Sequence, residues 1–177
     1  MTQESETIGK GISEAIPIAQ DVRSTLGGKY LTFKLAGEEY GVGILKVREI
    51  NGLIDITPVP RMPAAMRGVI NLRGKVIPVI DLRIKFGMEV VQATKQTCII
   101  VLDVKMGDVS TLVGILVDTV SEVVNISENE IDRALCFGSG VNSNFILGAA
   151  KIKGCVKILL DIEKILSADE LTTFVGA

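Results

Sequence analysis

No histidine occurs in the 177 residues, so the commonest general base, metal ligand and triad member is missing. What is left to do chemistry is carboxylate and thiol. Asp81 and Asp161 close two similar stretches, RGVINLRGKVIPVID and LGAAKIKGCVKILLD, and a repeated carboxylate could serve as a catalytic pair. The plainer reading is that each ends a strand by accepting hydrogen bonds from backbone N–H groups. The three cysteines, Cys98, Cys136 and Cys155, are odd in number and have no C-x-x-C spacing. Cys98 and Cys155 sit in apolar strand patterns, where a cysteine acts as a small hydrophobe, and the usage suits a reducing cytoplasm. Gly41-Val42-Gly43 lacks the third glycine of a dinucleotide fingerprint, and Gly138-Ser139-Gly140 has no basic partner nearby to cradle phosphate. With no G-x-S-x-G elbow, P-loop or H-E-x-x-H motif either, no enzymatic activity, cofactor or metal is expected.

The elements that carry these residues are repeated. Arg67 to Phe86 reads as two strands joined by a tight turn at Arg73-Gly74. The pattern returns at Leu147 to Leu166, where Gly68 meets Gly148, Arg73 meets Lys153, Gly74 meets Gly154 and Asp81 meets Asp161. Upstream of each copy lies a second echo: YGVGILKVREI (Tyr40 to Ile50) aligns with VGILVDTVSEV (Val113 to Val123), so Gly41 meets Gly114 and Glu49 meets Glu122. The two halves therefore read as related β units, against the alternative of chance likeness among Val/Ile/Gly-rich strands. Glu49 and Arg73, each with a chemical echo in Glu122 and Lys153, either pair across adjacent strands or present charge to a partner.

In chain order, residues 1–28 read as a mobile tail. Lys29–Ala36 is a strand, followed by a turn at Gly37-Glu38. Ile44–Ile50 is ambiguous by period and is taken as strand. Asp55–Pro60 is extended, because each residue before a proline is pushed out of the helical region. Met62–Met66 is a one-turn helix candidate opened by Pro63. Pro78 within its strand predicts an edge position or a bulge. Gln96–Val104, Ser110–Val117 and Thr119–Ile126 are strands. Ser127 with Glu130 forms a capping box for a short helix. Phe137–Asn144 reads as a flexible loop, and Ser167 with Glu170 caps a C-terminal helix over 167–177. The result is an all-β protein of roughly ten strands, in two small barrels or curled sheets.

The chain is long enough to bury roughly 70% of its unfolded surface. No apolar run approaches the ~20 residues that span a bilayer, and the N-terminus lacks a secretory signal. The net charge of −2 argues against a nucleic-acid or membrane-surface role. The charge is uneven: basic residues dominate from Arg61 to Lys85, and acids from Asp103 to Asp132. Such halves suit steering of partners, or are two ordinary solvated faces. With aromatics at 4% and no tryptophan, only the basic cluster supports an oligonucleotide-binding barrel, a minor alternative.

EEYGVGILKVREI, GVINLRGKVIPVIDLRIKFG and VGILVDTVSEV resemble the CheW family, the coupling proteins of bacterial chemotaxis, over about Tyr30 to Leu171. The resemblance implies two five-stranded SH3-like β-barrel subdomains, about 29–90 and 91–166, within a domain spanning 29–171. It also implies a non-catalytic cytoplasmic adaptor, recruited to membrane receptor arrays, that joins a methyl-accepting chemotaxis receptor to the regulatory domain of the histidine kinase CheA. Other copies of itself in array rings are further implied partners. Carried over by position, Val47, Glu49, Gly68, Arg73 and Val123 fall at receptor-coupling sites, around an apolar groove at the subdomain seam that takes a receptor helix. Thr97, Cys98 and Gly114 resemble the kinase-facing end, and Phe137 resembles an aromatic of the ring contacts.

Overall fold

A computed structural model describes residues 26–133 and 143–166. The expected tail as far as residue 25, the Phe137–Asn144 loop as far as residue 142 and the C-terminal helix lie outside them. The last three residues of the expected tail are held: Leu26 N donates to Glu128 Oε1 (2.6 Å) and Gly28 opens the first strand. Where strand patterns alternate or run continuously apolar, strands form: β1 (Gly28–Leu35), β2 (Glu38–Gly43), β3 (Val47–Gly52), β4 (Met66–Leu72), β5 (Lys75–Asp81), β6 (Cys98–Met106), β7 (Val109–Val117), β8 (Thr119–Ile126), β9 (Ile131–Asp132), β10 (Ile146–Ile152) and β11 (Cys155–Leu160). Two one-turn helices, α1 (Leu82–Lys85) and α2 (Ile162–Ile165), follow β5 and β11. The fold is all-β, as expected. Among the described residues no helix is long and apolar enough to cross a membrane.

The strands make two sheets, ordered β8-β1-β2-β11-β10-β9 and β3-β6-β7-β5-β4. Neither order returns to its start, so the expected barrels are open, curled sheets. The expected split near residue 90 is not how the sheets divide. Strands β3 to β7 form one sheet from residues 47–117, and the other sheet takes β1 and β2 from one side of it and β8 to β11 from the other. The repeat itself is real. In each copy the hairpin pairs antiparallel with a register break two residues into its first strand, between Met66 and Gly68 or Ile146 and Gly148. Each hairpin then joins a second hairpin in parallel, with Val79 opposite Gly114 and Leu159 opposite Gly41. These are the aligned residues of the two echoes. Each half thus lends strands to both sheets, so the halves are interleaved rather than side by side.

The packing follows the period of two. Along β7, Val113 and Ile115 face a core shared between the sheets, while Leu112 and Leu116 face a smaller core inside their own curl. On β1, Leu31, Phe33 and Leu35 enter the shared core and Tyr30 enters the other sheet's inner core. Strands buried on both faces read as continuous apolar runs, which is why Gln96–Val104 is legible as buried. Each fully buried Leu, Ile or Phe contributes about 1.5–3 kcal/mol of burial.

Local expectations fail where the chain changes sheet or is pulled taut. Ile44–Lys46 is a 3-10 turn, because β2 ends in one sheet and β3 begins in the other. The Met62–Met66 stretch is a turn closed by Met66 N donating to Pro63 O (3.0 Å), after which β4 starts at once. Pro78 is on neither an edge nor a bulge of its own strand. The bulge is in the partner strand, and the β7 ladder begins only at Val79, so the missing donor falls before it. The first hairpin turns at Ala36-Gly37 (φ 53° and 83°), one residue earlier than expected. Cys155 is exposed at the start of β11 rather than packed. Asp81 and Asp161 do close their strands: Asp81 accepts from Arg83 N (2.9 Å) and Asp161 from Lys164 N (3.4 Å), each capping a one-turn helix. The Ser127–Glu130 capping box is present, over the 3-10 turn Glu128–Glu130.

Candidate binding surfaces

Glu49 lies on β3 and Arg73 in the β4–β5 turn, strands at opposite edges of one sheet. Arg73 Nη1 donates to Glu49 Oε1 at 2.6 Å, so the curled sheet is tied edge to edge rather than across neighbouring strands. Arg73 and Gly74 both have positive φ (53° and 83°), a two-residue turn matched to strand twist. This holds the Arg73 side chain, 79% exposed, out over the edge. The hydrogen bond from Arg73 keeps the Glu49 carboxyl below its ordinary value, helped by one from Asn51 and opposed by partial burial. Val47 faces the other way: a bulge at Arg48 separates it from Glu49, and it packs against the shared core opposite Leu102. Val123 lies apart from these on β8, the repeat-equivalent edge strand of the other sheet, and is 49% exposed. Gly68 offers no surface. It is buried at φ 146°, and a Cβ there would overlap the Thr57 carbonyl oxygen.

The expected kinase-facing residues are also mostly covered. Thr97 is buried, with Oγ1 accepting from Thr94 N at 2.8 Å. Cys98 is half-buried against the shared core, its thiol donating to Gln96 O at 3.1 Å. Gly114 is buried, and a Cβ there would lie 2.9 Å from Ile99 Cγ2. Gly68 and Gly114 can affect a partner only through packing.

Part of the charge asymmetry is spent within the molecule. Arg48 pairs with Asp103 and Arg83 with Asp118, both at 2.6 Å, and Arg67 with Asp81 at 2.8 Å. Arg48–Asp103 and Arg83–Asp118 join the basic first half to the acidic second half, while Arg67–Asp81 closes within the first half.

Two pockets went unnoticed in the sequence, and they are repeat equivalents. One, about 360 Å³, lies among Leu53, Arg67, Asp81, Arg83, Val91 and Asp118. The other, about 380 Å³, lies among Tyr30, Leu45, Lys46, Leu147, Asp161 and Glu163. In the first, Asp118 takes two bonds from Arg83 (Nε 2.8 Å, Nη2 2.6 Å) and one from Ala36 N (2.9 Å). The Arg83 bonds, then the Ala36 N–H, hold its carboxyl below the ordinary range against the pull of burial. In the second, the position of Asp118 is taken by Leu45, 96% exposed on the 3-10 turn. The ion pair shifts one residue and changes sign, with Lys46 Nζ bonding Glu163 Oε2 at 2.6 Å. The mismatch of Leu45 with Asp118, inside an otherwise good alignment, was the available signal.

Interleaved copies of one β unit over a shared core, with exposed side chains held out on turns, have the make-up of a protein-binding scaffold. Residues 29–170 match the CheW-like domain, and the chain belongs to the CheW family. It is 39% identical over 147 residues to the chemotaxis protein CheW of Klebsiella aerogenes (83% of this chain, 86% of the other). It is 35% identical to that of Thermotoga maritima (82% and 91%). The crystal structure of the scaffolding protein TtCheW from Thermoanaerobacter tengcongensis superposes with a TM-score of 0.72 at 32% identity, covering 82% of this chain and 91% of that one.

Proposed function

We propose that the protein is a non-catalytic chemotaxis adaptor that couples methyl-accepting receptors to the regulatory domain of the kinase CheA. The observation that carries this reading is the CheW-like match across 142 consecutive residues, 29–170. In this reading the protein works in the cytoplasm, is recruited to receptor arrays, and meets further copies of itself in array rings. The two curled sheets stand for the family's SH3-like barrels.

The receptor helix lies against the seam where the chain passes between sheets, touching the Glu49–Arg73 pair, Val47 and Val123, with Leu45 as an apolar anchor. Support for this comes from the exposure of Leu45 and Arg73 on rigid turns. The kinase takes the end marked by Thr97 and Cys98, with Phe137 in the ring contact. Gly68 and Gly114 keep these surfaces in shape by packing. Since both partners act on one body, each should change the other's affinity reciprocally.

A pull-down with a CheA regulatory domain and a receptor cytoplasmic fragment, each alone and then together, tests this. Binding to both at once is expected, with Arg73→Ala reducing only receptor capture. Binding to neither would overturn the adaptor reading.

A further inference from the structure

We infer that the buried Lys157–Glu39 ion pair selects which hairpin joins which sheet. Lys157 on β11 is 4% exposed and lies directly opposite Glu39 on β2, its Nζ 2.6 Å from Glu39 Oε1. At the equivalent parallel junction of the other sheet, the aligned residues are Ile77 on β5 and Leu112 on β7, both in an apolar inner core. One junction is therefore charge on charge, and its copy is apolar on apolar.

The distinction matters because the two hairpins have nearly interchangeable backbones. Both carry the same register break, the same positive-φ turn (Arg73-Gly74 and Lys153-Gly154) and the same closing aspartate. An exchange needs long flanking connections, and residues 53–65 and 82–97 supply them for the β4–β5 hairpin. Connections of about a dozen residues can cross a sheet. By contrast, β3 and β8 are held to their sheets by Ile44–Lys46 and by Asp118 alone. If the hairpins traded places, Glu39 would be buried against Ile77 and Lys157 against Leu112, each charge without its partner. An unpaired buried charge is far more costly than an apolar mismatch. An exchange would also part Arg83 from Asp118 and Glu163 from Lys46, but those pairs are more exposed. The buried pair therefore acts most on the choice between two topologies, the role that buried polar groups take in setting register.

The test uses the full chain, refolded from denaturant, with contacts read by NMR. In the wild type, Gly41 contacts the Leu159 methyl and Gly114 the Val79 methyl, as their spacing requires. In Glu39→Leu/Lys157→Ile, which copies the apolar junction, the chain is expected to fold but to show a second set of resonances. That set should carry a Gly41–Val79 contact and reach about a tenth of the molecules. The reversed pair Glu39→Lys/Lys157→Glu is expected to return one set with the native contacts. One set of native contacts in the apolar variant would overturn the inference. So would failure of that variant to fold, since the pair would then be holding the structure and not choosing it. A mixture in the reversed pair would overturn it as well.

Discussion

The two pockets are the same place in two copies of one unit, and they have been closed differently. Under α1, Arg83 reaches across to Asp118 where the chain leaves one sheet for the other, and a third bond from Ala36 N completes the lock. Under α2 the helix residue is acidic, Glu163, and its partner Lys46 sits one position later, so the crossing residue Leu45 is left in solvent. Arg83 and Asp118 are 14% and 28% exposed at the side chain, against 41% and 31% for Lys46 and Glu163. One crossing is therefore built as a structural tie, and the other keeps a weaker tie and a free apolar side chain. A duplicated unit can hold its shape with one copy and present a surface with the other.

The sharpest way to separate the copies is at the aligned glycines. Gly68→Ala places a Cβ on the Thr57 carbonyl at a φ that side chains avoid, and is expected to cost about 3 kcal/mol or more. Gly148→Ala meets Ile131 Cγ2 at 2.8 Å and Asp132 O at 3.0 Å without that backbone strain, so about 1–2 kcal/mol is expected. Equal losses in denaturant melts would break the comparison.

The crossings come next. Asp118→Asn is expected to cost about 2 kcal/mol, between the buried and exposed limits, and Glu163→Gln less than about 1 kcal/mol. Because Asp118 titrates below its unfolded value of about 3.9, its contribution is complete above that pH and is lost as pH falls through the lower folded value. Melts between pH 6 and pH 2 (about two units either side of that value) should therefore lose stability less steeply in Asp118→Asn than in the wild type. A parallel acid limb would show that the tie contributes nothing.

The smallest effects on stability belong to the presented side chains. Leu45→Asp and Arg73→Ala should leave the thermal melt nearly unchanged while weakening capture of a receptor fragment. A melt shifted as far as that of Asp118→Asn would mean that these residues hold the fold.

How much of this was legible depends on what each residue had to say locally. The strands, the capping aspartates and both repeated turns announce themselves through period and turn chemistry. The aligned Gly41 and Gly114 fall at the two parallel junctions, which the alignment alone does not reveal. Sheet membership was hidden, because pairing is decided by long-range contacts, and a strand carries the same pattern whichever sheet it joins. Ile44–Lys46 misled for the same reason, since nothing near it says that the next strand belongs elsewhere. For Glu49 and Arg73 the sequence left two readings, a pair across adjacent strands or charges offered to a partner, and only the curl brings these opposite edges together. The burial of Gly68 and Gly114 was not legible, since burial is a property of the folded neighbours.

The interleaving also sets an order of events on the ribosome. Sheet β3 to β7 is complete once Val117 has emerged, whereas β1 and β2 leave the exit tunnel first, and β1 must wait for β8 and β2 for β11, the latter more than a hundred residues later. A lone two-stranded hairpin is marginal in water, so this one spends most of synthesis unfinished. Assembly runs from the middle outward. A nascent chain stalled just past Val117 would carry one finished sheet and one hairpin still waiting for its neighbours.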